Sequence, residues 1–64
     1  MRNIRTLIVD DERGARQELA RMLKSYPQVT ILGEAANADE AEQLIGLLKP
    51  DLIFLDIQLS LIHI

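Results

Sequence analysis

Three aspartates stand where a phosphoryl group and a divalent cation could be handled: Asp10 and Asp11 side by side, and Asp56 far downstream. A carboxylate can attack phosphorus and form an acyl phosphate. Catalysis of that transfer is mostly positioning and charge neutralisation. Three carboxylates in one crevice repel one another, and Mg²⁺, which prefers oxygen ligands, would relieve the repulsion. It would also shield an incoming phosphoryl group from the aspartates. Each residue has a plainer reading. Asp-Asp-Glu before a helix serves commonly as an N-cap with first-turn acids. A lone Asp at a strand end is commonly a turn former. The combination is more specific, because an apolar strand delivers the acids each time and a helical pattern fills each gap.

The elements that must position these acids are legible from periodicity. Ile4 to Val9 is a short, β-branched, apolar run ending at Asp10, which predicts a buried strand. Glu12 to Tyr26 follows, with Ala15, Leu19, Met22, Leu23 and Tyr26 as one apolar stripe at helical spacing. Asp11 is the expected N-cap, and Pro27 is expected to end the helix. Val29 to Leu32, closed by Gly33, reads as a second strand. Asn37 with Glu40 three positions on marks a capping box. Ala41, Leu44, Ile45 and Leu48 form the stripe of that second helix. Lys49 suits its negative end and Pro50 stops it. Leu52 to Leu55 reads as a third buried strand that carries Asp56 at its C-terminal end.

Strand, helix, strand, helix, strand predicts an α/β fold with a parallel sheet and right-handed crossovers. In such sheets ligands bind at the carboxyl ends of the strands, where the strand order reverses. With the first strand between the second and third, the three aspartates converge there. In a sequential order the second strand intervenes and the acids stand about 10 Å apart, from two strand spacings. The residues alone leave both orders open.

Composition narrows the function classes. A chain of 64 residues holds one domain at most. It has no cysteine, so no disulfide supports it, in keeping with a reducing compartment. The net charge of −3 shows no basic face for nucleic acid. Arg13, Arg16 and Arg21 alternate with Glu12 and Glu18, which reads as a solvated helix face. The first apolar run is too short for a signal peptide core or a membrane span, so a soluble, cytoplasmic protein without membrane attachment is expected. Gly14, Gly33 and Gly46 form neither a dinucleotide-binding nor a P-loop pattern. Gly14 and Gly46 read as close-packing or merely tolerated positions. No Ser, Cys or His sits on a strand-to-helix elbow, which argues against a nucleotide-binding or hydrolytic enzyme.

LIVDDE at 7–12, GEAANADEA at 33–41 and PDLIFLDIQL at 50–59 resemble the receiver domain of two-component response regulators. The wording DIQL, with GEA after the second strand, is most similar to receivers with LytTR-type DNA-binding outputs. The resemblance covers residues 4 to 58. It implies a flavodoxin-like, doubly wound sheet of order 2-1-3-4-5, here truncated to β-α-β-α-β. It implies that Asp56 is the phosphoacceptor, that Asp11 is a direct Mg²⁺ ligand and that Asp10 acts mainly through water. Asp56 itself and the backbone carbonyl of Gln58 would complete the protein's share of the metal site. The implied partners are a sensor histidine kinase as phosphoryl donor and a second receiver in a receiver–receiver dimer. DNA would be reached only through an output domain absent from this chain.

The family also uses a Ser or Thr after the fourth strand, a Lys after the fifth and an aromatic switch residue. This sequence has no counterpart of them, and Lys24 and Lys49 fall at helix C-terminal ends. The expectation is therefore half a receiver, unable to signal alone. The rival expectation is a natural mini-receiver that binds partners without being phosphorylated. Ser60 stands where the family usually has Pro after DIQL. The tail LSLIHI is what CTG TCT CTT ATA CAC ATC encodes, and that string resembles a transposase end used in preparing sequencing libraries. Residues 59–64 are accordingly expected to be non-native, with 1–58 the partial receiver and His63 no ligand. Three strands and two helices would also leave apolar sheet surface bare, which predicts association.

Overall fold

A computed structural model describes residues 3–55. Five elements follow one another: β1 (Ile4–Val9), α1 (Arg13–Leu23), β2 (Val29–Ala35), α2 (Ala38–Leu48) and β3 (Leu52–Leu55). The strands form one parallel sheet in the order β2-β1-β3. That result excludes the sequential order and agrees with the truncated, doubly wound α/β expectation. Asp56, Gln58 and residues 59–64 lie outside the described residues.

Side chains alternate across the sheet. Leu7 and Val9 pack with Ala35 and with Ala41 of α2, and Leu44 lies against that cluster. The opposite face carries Ile8 and Phe54, which pair in register, and Phe54 lines a pocket with Leu19 and Leu23 of α1. The two helices thus cover opposite faces, as successive right-handed crossovers from a central β1 require. Thr6, Leu7, Ile8 and Val9 are buried without remainder.

The register between β1 and β2 slips once. Ile4, Arg5 and Thr6 stand opposite Val29, Thr30 and Ile31, but Leu7 stands opposite Gly33. Leu32 is the extra residue of a β-bulge. Because side chains alternate, the bulge reverses the phase of everything after it. Glu34 therefore pairs with Ile8 on the α1 face, and Ala35 pairs with Val9 on the α2 face.

Several expectations need correction. Helix α1 ends at Leu23, three residues short of Tyr26. The amides of Lys24, Ser25 and Tyr26 donate to the carbonyls three residues back, a tightening that ends the helix ahead of Pro27. Met22 and Tyr26, assigned to the apolar stripe, are more than half exposed. Asp11 is not the N-cap. Glu12 occupies that position without a side-chain cap, and the Glu12 amide donates to the Asp10 carboxylate instead. Strand β2 runs through Gly33 to Ala35, since Gly33 keeps its place opposite Leu7. Strand β3 is largely exposed rather than buried. A Cβ at Gly14 or Gly46 would meet nothing within 4 Å, so neither marks a close approach.

The capping box of α2 forms. The Asn37 side chain accepts from the Glu40 amide at 2.9 Å, and the Glu40 carboxylate accepts from the Ala36 amide at 2.8 Å. At the far end Lys49 takes a left-handed φ of 50°, a helix-ending position usually given to Gly. Arg5 secures that end from the sheet. Its guanidinium donates to the carbonyls of Lys49 and Leu48, both at 2.6 Å.

Candidate functional site

The acidic pair sits where β1 leaves the sheet. The Asp10 amide donates to the Ala35 carbonyl at 3.0 Å, which continues the β1–β2 ladder by one residue. The Asp10 carboxylate accepts from the Glu12 amide at 2.9 Å, so it closes the turn into α1. Its backbone carbonyl accepts from Nη1 of Arg16 at 2.7 Å. Asp10 is half-buried by these contacts, while Asp11, next in the turn, is exposed.

Beside Asp10 is a pocket of about 140 Å³ lined by Val9, Asp10, Leu19, Phe54 and Leu55. It opens at the carboxyl ends of β1 and β3. Val9 stands opposite Leu55 in the parallel ladder, so β1 and β3 end level with each other. The next residues in sequence are Asp10 and Asp56.

Of the four residues assigned to the metal site, Asp10 and Asp11 are thus together at this edge, and Asp56 and Gln58 lie outside the described residues. Among the described residues no three His, Cys, Asp or Glu side chains gather closely enough to hold a metal ion. The chemistry of the donors nevertheless suits Mg²⁺. Asp10 and Asp11 offer hard oxygens, and Asp11, exposed at the turn, leaves room for the waters that this ion retains.

Arg16 is a residue the sequence placed wrongly. Its side chain is only 15% exposed, not part of a solvated face. Nε donates to Glu34 Oε1 at 3.2 Å, while Nη1 reaches the Asp10 carbonyl. By contrast Arg21 pairs with Glu18 on the open side of α1, as expected. No sequence signal separated the two arginines, since both alternate with acids. The difference arises from the β2 bulge, which brings Glu34 to the α1 face.

Comparison with known proteins agrees with this architecture. Residues 6–63 match the response regulator receiver domain family. An uncharacterised response regulatory protein of Vibrio cholerae is 51% identical over 53 residues, covering 83% of this chain and 22% of its own length. The transcriptional regulatory protein BtsR of Salmonella typhi is 48% identical over 56 residues, 88% of this chain and 23% of its own length. The sensory transduction protein LytT of Enterococcus faecalis, a LytTR-type regulator, is 50% identical over 54 residues, 84% of this chain and 22% of its own length. A protein-glutamate methylesterase of Geobacter sulfurreducens, 39% identical over 59 residues, shows that a similar stretch also accompanies an enzyme. The chain spans less than a quarter of the length of each of these relatives. Among the described residues no helix is long and apolar enough to cross a membrane.

Proposed function

This chain belongs to the response regulator receiver family, and from that premise we propose that Asp56 accepts a phosphoryl group from a sensor histidine kinase. Asp10, Asp11, Asp56 and the backbone carbonyl of Gln58 would hold Mg²⁺. The observation that carries the reading is the β1–β3 register. Val9 and Leu55 are partners across adjacent strands, and each is followed in sequence by an aspartate. Adjacent parallel strands run about 4.8 Å apart, against about 10 Å in the sequential order.

The chain's own residues divide the work. Asp56 supplies the nucleophile: a carboxylate oxygen forms the new bond to phosphorus, and the bond from phosphorus to the kinase histidine nitrogen breaks. The nitrogen keeps the electron pair and takes up a proton. Asp10, held at its amide, carbonyl and carboxylate, fixes the acidic turn. Asp11 presents its carboxylate at the exposed position beside it. Bound Mg²⁺ would neutralise the charge of the carboxylates and of the phosphoryl oxygens.

In a longer protein this module would control an attached output in the cytoplasm. The name of BtsR favours transcription regulation; the output would then be a DNA-binding domain, and the receiver itself would catalyse nothing on an outside substrate. Phosphorylation would act by shifting a two-state equilibrium.

Mass spectrometry after incubation with Mg²⁺ and a small acyl phosphate tests the central claim. The chain should gain the mass of one phosphoryl group, and Asp56→Asn should not. A gain that survives Asp56→Asn sinks the assignment. A folded chain that gains nothing would favour a protein-interaction module instead, for which the exposed apolar side chains of β3 already speak.

A further inference from the structure

We propose that Arg16 is a positioning residue for the acidic pair, setting Asp10 and Asp11 for a divalent cation through the peptide that joins them. The inference rests on the reading of that pair as Mg²⁺ ligands. The Asp10 carbonyl belongs to the planar peptide unit between Asp10 and Asp11. A bond of 2.7 Å from Nη1 to that oxygen fixes the rotation of the plane. It therefore fixes the N–Cα bond of Asp11, the axis from which the Asp11 side chain is carried. The amide of Asp10 is already tied to Ala35 and its carboxylate to Glu12. Arg16 adds the third tie, to the carbonyl.

Two further features suit positioning better than general charge. A guanidinium beside a cation site should weaken cation binding by repulsion. Here Glu34 takes Nε at 3.2 Å and offsets that charge, so the donors are used at little electrostatic cost. Glu34 is available only because of the bulge at Leu32. In the unbroken register of the first three pairs it would stand opposite Val9, on the α2 face. Bulges that re-aim one side chain are common beside functional sites. The fork also requires Arg, because a Lys ammonium is a point donor without the planar geometry that serves two acceptors at once.

The test is a titration of the 64-residue chain with Mg²⁺ alone, followed by backbone amide NMR signals of residues 10–12. Arg16→Lys keeps the charge and loses the fork. It should weaken Mg²⁺ binding about tenfold, the usual scale for removing a group that orients a metal ligand, while the signals of β1 and α2 stay in place. Binding equal to the unaltered chain overturns the proposal, provided Asp11→Asn abolishes it. If Asp11→Asn also binds as before, the metal-site reading fails and takes the proposal with it. Should Arg16→Lys not fold, Arg16→Met gives a readout of opposite sign. Loss of a positive charge alone would tighten Mg²⁺ binding, whereas loss of positioning weakens it. Tighter or unchanged binding in Arg16→Met overturns the proposal.

Discussion

Strands β1 and β3 are written in nearly the same alphabet and meet opposite fates. TLIV of β1 and LIFL of β3 are both short apolar runs, and both were expected to be buried. Leu7 and Ile8 are 0% exposed, yet Leu52 and Ile53 are 39% and Leu55 is 60% exposed. Position in the sheet makes the difference. β1 pairs on both sides and carries a helix on each face. β3 pairs with β1 alone among the described residues. An apolar run therefore reports a strand, but burial is conferred by neighbours. Asp10 follows the point where the buried strand and the less covered one end level.

The largest effect should come from cutting into the buried strand. Leu7→Ala removes a side chain packed among Val9, Ala35 and Ala41. Such truncations cost about 2–5 kcal/mol. A small domain has only on the order of 3–10 kcal/mol in all, so the helical circular dichroism of this variant should collapse. Leu55→Ala, the same chemical change on β3, should cost below about 1 kcal/mol. Equal losses in the two variants would break the comparison and show that β3 is covered in solution.

A middle-sized effect should come from Arg5, the residue of β1 that ties both neighbours. Its amide donates to the Asp51 carboxylate and its carbonyl accepts from the Asp51 amide, which fixes the start of β3. Its guanidinium holds the last carbonyls of α2. Arg5→Ala keeps the backbone bonds and loses only the guanidinium. It should lower stability by about 1–2 kcal/mol, the range for a charged donor at a helix C-terminus. The urea midpoint measures it. Arg5→Lys should recover only part, since one ammonium replaces two separate donors. Full recovery would mean that charge alone, not the fork, supports the helix end.

These contacts mark where the sequence stopped being legible. Periodicity located all five elements, and the Asn37–Glu40 capping box was read from spacing alone, because capping is local. The acidic pair at the end of β1 was legible for the same reason. Strand order was not, because nothing in a run of apolar residues names its partner. The resemblance supplied it, and the β2-β1-β3 sheet bears it out. Arg5 and Arg16 were missed as functional groups because their acceptors lie 43 or more and up to 18 residues away in sequence. Which acid or carbonyl an arginine meets depends on register, and a one-residue bulge at Leu32 decides it for Arg16. The N-cap was misassigned to Asp11 for a smaller reason: the helix starts one residue later, so Glu12 takes the cap position without a side-chain cap, and the nearby carboxylate that accepts an amide is that of Asp10.

The smallest effect tests that bulge. Gly33 sits opposite Leu7, just after the extra residue. It has no positive φ, and an added Cβ would meet Leu48, Leu44 and Leu7 methyl carbons at 3.6, 3.8 and 3.9 Å, ordinary contact distances. Gly33→Ala should therefore be accepted, and the lost freedom of the unfolded chain should stabilise by up to about 1 kcal/mol. The denaturation midpoint should stay or rise slightly. A clear fall would show that the bulge needs glycine's freedom at Gly33. The phase of Glu34, and through it the hold of Arg16 on the acidic turn, would then depend on one residue with no side chain.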